Sequence, residues 1–421
     1  MIRLVRHRLA LWPVFLLVHL WLSVANIVGN EHPLGDVTLV YKTWMQQGFD
    51  THVWVGIDSA WVYPIVAIVP MLLAWVFGPD AYALTWLAIV TALDAVAFGF
   101  LVGWHRNARN TVAAWWWLAF LTLLGPIAVA RIDTISVPLA VVGVLFLATR
   151  PRMAGALLTV AAWMKVWPGA LLIAAVVATR QRWQILLAAL AASVVVVVAA
   201  VAVGGGAQVF SFVGQQAGRG LQIEAPVSTP WLWQAFAGVP QVSIFFNRAL
   251  LTFQVTGGGV DAIAELTTPL MLLAILAIVL VAVLAVRNRG SSIDVLPALT
   301  LALVTALIAF NKVGSPQYIT WLAVPVILGL VTSASAHGRS FRTPAILVAI
   351  IATLTQLIYP FLYDALLALH PVPLIVLTVR NLMLFVLLGW AMFELGRVGR
   401  TDNVCDDFVV RDSLMGDKQE R

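Results

Sequence analysis

The sequence predicts an all-α polytopic membrane protein, a bundle of about twelve transmembrane helices, and three observations carry that prediction. Hydrophobic residues make up 62% of the chain and charged residues only 10%, far below the roughly 25% charged content of soluble domains. Apolar runs of about twenty residues, long enough to cross a bilayer, recur from end to end. The basic residues fall in short clusters between those runs. Of the 25 Lys and Arg, all but Lys42, Arg131, Lys165, Arg219, Arg248, Lys312 and Arg380 fall on the side read as cytoplasmic, the bias that orients membrane proteins.

The chain begins with a basic head, Met1 to Arg8, before a first span over Leu9–Val28. Ser23-Val24-Ala25 also admits a signal-peptide cleavage site; the anchor reading is preferred because the polar loop that follows needs holding near Asp36. That loop, Asn30 to Pro64, carries Glu31, His32, Asp36, Asp50, His52 and Asp58. Tyr41, Trp44 and Gly48 suggest a short amphipathic helix lying on the membrane surface within it. Tyr63–Gly78 is apolar but short and broken by Pro64 and Pro70. A crossing there would put the His105–Arg109 cluster outside and invert every later one, so it reads as a juxtamembrane helix. The first outer loop thus covers 29–78.

Further spans follow at Ala81–Gly103, two within Thr111–Thr149 around Arg131-Ile132-Asp133, a short pair within Met153–Thr179 hinged at Lys165–Gly169, and Trp183–Val203. A large outer loop occupies 204–265. Leu266–Val286 and four more spans complete the membrane domain, 1–396. They are separated by Asn311–Pro316 outside, His337–Arg342 inside and Tyr363–Pro371 outside. The polar tail, 397–421, reads as cytoplasmic and disordered.

Several function classes are excluded early. The net charge is +6, but no basic stripe interleaved with aromatics appears, so nucleic acid is not an expected partner. Cys405 is the single cysteine, which rules out an intrachain disulfide. No Walker loop, Gly-x-Gly-x-x-Gly turn or zinc-ligand spacing is present, against an ATP-driven pump.

Unexplained polar groups collect at the outer margin in five places: Asp36 with Asp58, Arg131 with Asp133, Lys165, Arg219 with Glu224, and Asn311-Lys312 with Gln317. Each ionisable group at membrane depth costs roughly 2.5–3.5 kcal/mol, so a partner or a polar cavity is expected. One carboxylate among several cations suits activation of a hydroxyl beside a phosphate. In that reading Asp36 is the base. Lys165, Arg219 and Lys312 hold the phosphate, while Asp58, Gln222 and Glu224 fix hydroxyl groups.

Each residue also has a plainer reading. Asp36 could cap the helix after it, Asp58, Arg219 and Glu224 could be solvated, and Arg131 could pair with Asp133. Lys165 could snorkel beside Pro168. Asp94 reads as a hydrogen bond between helices, and Trp115-Trp116-Trp117 as an interfacial belt.

The motifs resemble the GT-C class of polyprenol-phosphate-sugar-dependent glycosyltransferases, and within it glycosyltransferase family 87, which includes phosphatidylinositol-mannoside mannosyltransferases. Gly35-Asp36-Val37 to Tyr41, closing on Trp61-Val62-Tyr63-Pro64, is similar to the family's first outer loop. Lys165-Val166-Trp167-Pro168 looks like its Lys-x-x-Pro segment. Arg219-Gly220-Leu221-Gln222-Ile223-Glu224 looks like its Arg-x-x-Gln-x-Glu stretch. Phe310-Asn311-Lys312-Val313 with Gln317, Tyr318 and Trp321 resembles a segment of the GPI-type mannosyltransferases.

The resemblance implies a GT-C bundle and inverting transfer, with Asp36 matching the catalytic acid. It implies no metal and no cofactor beyond a polyprenyl-phosphate-mannose donor that enters sideways between helices and leaves as polyprenyl phosphate. The implied acceptor is a glycolipid such as a phosphatidylinositol mannoside or lipomannan, met at the outer face of the cytoplasmic membrane with both termini inside. Tyr63, Arg131, Asp133, Asn311, Gln317 and Tyr318 complete the implied substrate-binding set. One departure stands out: where some members place a histidine near the last catalytic loop, this chain has Asn311, Lys312 and Gln317. A secondary transporter or flippase of lipid-linked sugars is the rival reading. It predicts charges on both faces and internal repeats, and no repeat is visible. A non-catalytic envelope partner is a third.

Overall fold

The computed structural model describes residues 8–29, 33–103, 110–288, 292–334 and 339–416. The basic head before Arg8, Glu31, His32, the His105–Arg109 cluster and His337 lie outside the described residues. The chain is a helical bundle, as its apolar periodicity requires. Helix α1 (Arg8–Val28) is followed by a π-helical turn, Asp36–Tyr41, that runs straight into α2 (Lys42–Thr51). This is the expected amphipathic helix. Val37, Tyr41, Met45 and Gly48 face inward, while Leu39 is exposed.

The juxtamembrane segment is a 3-10 turn, Ile65–Ala67, leading into α3 (Ile68–Ala74), too short to cross a bilayer. The bundle continues with α4 (Tyr82–Val102), α5 (Thr111–Leu124), α6 (Asp133–Phe146), α7 (Pro151–Ala162), α8 (Gly169–Ala178) and α9 (Arg182–Ala202).

The large loop is structured. It holds α10 (Ser211–Ala217), α11 (Thr229–Phe236) and an antiparallel hairpin, β1 (Ser243–Asn247) with β2 (Thr252–Thr256), in which Phe245 faces Gln254. Helix α12 (Val260–Arg287) starts six residues before the apolar run does. Asp261 in its first turn and Arg287 in its last complement the helix dipole. Then come α13 (Ser292–Ala309), α14 (Ala323–Ser333) after a 3-10 segment Pro316–Leu322, α15 (Arg342–Gln356), α16 (Tyr363–Leu367) and α17 (Pro371–Gly416).

Helices occupy all twelve expected positions, although only eight of them are long and apolar enough to cross a membrane, counted among the described residues. The shorter ones are α6, α7, α8 and α13. The tail expected to be disordered from Arg397 instead continues α17 as helix to Gly416.

Helices α6, α13 and α14 are nearly covered on all sides and form the centre, whereas α9 and α12 present long apolar faces outward. Asp94 does join two helices: its Oδ2 lies 3.0 Å from His19 Nε2, both buried. The Trp115–Trp117 run is not simply a belt. Trp117 is buried in the core, and Trp116 Nε1 donates to the Ala345 carbonyl at 2.9 Å.

Candidate active site

The loops at one end of the bundle enclose a cavity of about 390 Å³. Its walls come from five stretches far apart in sequence: the Asp36–Trp44 helix with Tyr63, Arg131, Lys165, the 215–224 segment, and the 313–318 turn. The hairpin roofs it with residues 246 to 253, and Tyr359 and Tyr363 close the remaining side.

Asp36 is the first residue of the π-helical turn and Gly35 holds the N-cap position, so the capping reading fails. Its Oδ2 sits 3.0 Å from Arg131 Nε, and its side chain is 37% exposed. Arg131 is itself buried and held in place. Its guanidinium donates to Tyr359 Oη at 3.1 Å, to the Ala130 carbonyl at 2.9 Å and to the Pro33 carbonyl. Arg131 therefore pairs with Asp36 rather than with Asp133, and it fixes the carboxylate at the cavity wall.

Asp133 is fully buried and does not line the cavity. It accepts a hydrogen bond from Trp321 Nε1 at 2.7 Å and lies 3.4 Å from Lys165 Nζ. Trp321 stacks between Trp167 and Tyr318, with centroids 5.6 and 4.2 Å away. Lys165 does not snorkel; its ammonium lies over Tyr63 and Tyr318 at 4.6 and 5.6 Å and faces the cavity. Burial disfavours its charge, but Asp133 and the two phenols outweigh that and raise its pKa.

The Arg219–Glu224 segment is pinned on both flanks. Val255 N donates to the Leu221 carbonyl and Ile223 N to the Phe253 carbonyl, extending the hairpin by a partial strand. On the other flank Gln222 N donates to the Lys312 carbonyl at 3.0 Å. Two donors here have no partner: Arg219 Nε and Gln222 Nε2 are buried and unbonded among the described residues. Buried donors of this kind mark where a ligand's oxygens belong. Glu224 meets Arg380 Nη2 of α17 at 3.3 Å. Burial nevertheless pushes its carboxyl up to about 7, with Arg380 and Arg131 pulling it only part of the way back.

Gln317 and Tyr318 line the cavity as well, and Ser315 Oγ donates to Gln317 Oε1 at 2.6 Å. Besides Asp133, three candidates lie off the cavity lining. Asp58 accepts from Trp54 N at 2.7 Å in its own exposed turn. Asn311 Oδ1 accepts from Val313 N at 2.9 Å. Lys312 contributes its carbonyl; its amine is outside the cavity lining, and burial lowers its pKa. No histidine lines the cavity among the described residues.

Tyr359, Tyr363 and the hairpin were not picked out from the sequence, and Tyr41 was read there as part of the amphipathic helix and not as a site residue. Burial raises the pKa of Tyr41 and Tyr363 well above 10.0, so both act as neutral hydrogen-bonding walls.

The segment's seat depends on Gly314. A Cβ there would collide with the backbone of Glu224 and Ala225. Gly314→Ala is expected to cost about 1–3 kcal/mol, as overpacking does, and to cut activity further by displacing Arg219 and Gln222. Thermal unfolding measured beside turnover checks this; a variant with wild-type values for both would show that the two loops are not in register.

A family model described as glycosyltransferase family 87 matches residues 61–316. No curated protein and no solved structure matches the chain. The matched stretch contains Tyr63, Arg131, Lys165, Arg219, Gln222, Glu224 and the cavity-roofing hairpin, and Asp36 lies before it. With that match covering more than half of a helical membrane chain, the protein belongs to glycosyltransferase family 87 and is a membrane glycosyltransferase.

Proposed function

We propose that the protein moves a mannosyl unit from polyprenyl-phosphate-mannose to a lipid-linked glycan, with inversion, at the outer face of the cytoplasmic membrane. Both termini face the cytoplasm and the cavity opens outward. The observation that carries this reading is one chamber lined by a fixed carboxylate, Asp36, and by two cations, Lys165 and Arg219, the latter with its Nε unbonded.

The acceptor hydroxyl attacks the sugar's anomeric carbon as the bond from that carbon to the phosphate oxygen breaks. Its proton passes to Asp36, and the bonding pair leaves with the polyprenyl phosphate. Lys165 and Arg219 stabilise the growing charge on that leaving group, where fixed donors act most strongly. Gln222, Glu224, Gln317 and the tyrosines orient sugar hydroxyls. The acceptor is a glycolipid such as a phosphatidylinositol mannoside or lipomannan. The reaction needs no cofactor beyond the lipid-linked donor.

The test is transfer of labelled mannose from synthetic polyprenyl-phosphate-mannose into the lipid extract of membranes containing the protein. Arg219→Leu removes a charge-assisted phosphate contact and is expected to raise the donor KM about tenfold or more while the protein level holds. If wild-type membranes transfer only a different polyprenyl-phosphate sugar, the mannosyl assignment falls. An unchanged donor KM in the variant would take Arg219 out of the phosphate site.

A further inference from the structure

A second concavity, of about 420 Å³, lies away from the cavity, between α1 and α4, both long and apolar enough to cross a membrane. One wall is Trp12, Phe15, Leu16 and Ser23 of α1; the other is Leu84, Leu87, Ala88, Thr91, Ala92 and Ala95 of α4. Both sets repeat at helical spacing, so each forms a stripe down its helix. The small residues of α4 leave the space, and the exposed Leu16 and Leu84 rim it toward the bilayer. Trp12 to Ser23 spans roughly 16 Å along α1.

A buried pair that the active site does not use sits behind this groove. His19 Nε2 meets Asp94 Oδ2 at 3.0 Å, and Phe15 of the groove wall stacks on the His19 ring at 4.0 Å. An ionisable pair inside a bilayer is expensive and calls for a purpose. Here it ties α1 to α4 at the depth of the groove and acts as a strut that fixes their separation.

The groove also has a direction. At its upper end Ser23 is one turn below Asn26, whose amide donates to the Pro126 carbonyl at 2.9 Å. On α4, Trp86 packs on Tyr41 at 5.4 Å and donates to the Val129 carbonyl. Tyr41 belongs to the Asp36 wall of the cavity. The helices flanking Lys165 pack instead with α6, α9, α12 and α13. The groove thus adjoins the wall of the cavity that carries Asp36.

We propose that this groove seats one acyl chain of the acceptor glycolipid, with its head group brought up beside Asp36. The proposal rests on the function proposed above. A chain entering from the bilayer exchanges one apolar surface for another, so it gains little affinity. What the groove supplies is a fixed depth and orientation for the acceptor hydroxyl.

Two measurements decide the matter. A phosphatidylinositol mannoside carrying a diazirine in one acyl chain is photolysed in membranes of wild type, Ala92→Phe and Ala88→Phe, and the labelled peptides are mapped. In parallel, kcat and KM are measured for that long-chain acceptor and for a short-chain soluble analogue. The expected result is label in α1 and α4 that both variants abolish. It is accompanied by a fall of about three- to tenfold in kcat/KM for the long-chain acceptor only, and unchanged kcat on the short-chain analogue shows each variant to be folded. Label that survives both substitutions, label confined to other helices, or stronger labelling of this groove by a diazirine-bearing polyprenyl phosphate would each overturn the proposal. Absence of transfer by wild type to every acceptor would instead overturn the functional reading, and the photolabelling would still report on the groove.

Discussion

Asp36→Asn is expected to abolish glycosyl transfer while the protein accumulates in membranes at the wild-type level. The amide keeps the size of the side chain and an oxygen that can accept from Arg131 Nε, which contacts Asp36 at 3.0 Å. The cavity wall should therefore stand. What is lost is the ability to take a proton, and a positioned base contributes about 10²–10⁴-fold. Labelled-sugar transfer at matched protein levels checks this. A variant keeping more than about a tenth of the wild-type rate would remove Asp36 from the role of base.

The second large effect is on stability. Arg380 reaches from α17 to Glu224, and both side chains are almost completely buried. Removing one member of such a pair strands the other and costs about 3–5 kcal/mol. Arg380→Met should lower the unfolding temperature of the purified protein more than any neighbouring apolar substitution does. The loss should also depend on pH. The folded carboxyl of Glu224 titrates at about 7, above its ordinary 4.5, so between those values the folded state holds a proton that the unfolded chain has released. This group's contribution to stability is therefore greatest at acid pH and falls as pH rises toward 7. Unfolding of Arg380→Met should differ from wild type less at pH 5.5 than at pH 8. Equal differences at both would mean that Glu224 is ionised throughout.

Charges made much of this site legible. In a chain with so few of them, an ionisable residue beside an apolar run must be compensated, and that expectation alone singled out Asp36, Arg131, Lys165, Arg219 and Glu224. All five line the one cavity. Pairing was not legible in the same way. Arg131 and Asp133 are two residues apart, yet each turns to a distant partner, because Arg131 lies in the turn before α6 and Asp133 is the first residue of that helix.

Asp58 and Lys312 were misleading for a related reason. A loop carboxylate or a backbone-paired lysine has the same letters as a catalytic one, and only the fold reveals what it satisfies locally. Tyr359, Tyr363 and the hairpin carry no net charge, so the cost of burying charge gave no signal for them. The β-branched and aromatic residues of Ser243–Asn247 and Thr252–Thr256 were the available clue for the hairpin. Helix positions came through well since hydrophobicity fixes them, whereas helix length within α6, α7, α8 and α13 depends on tertiary packing.

The pairing pattern has a consequence for charge conservation during turnover. With their carboxylates ionised, Asp36–Arg131, Asp133–Lys165 and Glu224–Arg380 are each neutral, which leaves Arg219 as the surplus cation among the described residues of the chamber. A phosphodiester donor carries one negative charge, so the loaded chamber is neutral. Transfer turns that diester into a monoester with close to one charge more. Protonation of Asp36 at the same moment frees the charge of Arg131, and the chamber stays electroneutral from donor to product. An amide at position 36 would leave Arg131 uncompensated from the outset, and such a variant should hold the polyprenyl phosphate product more tightly than the wild type does.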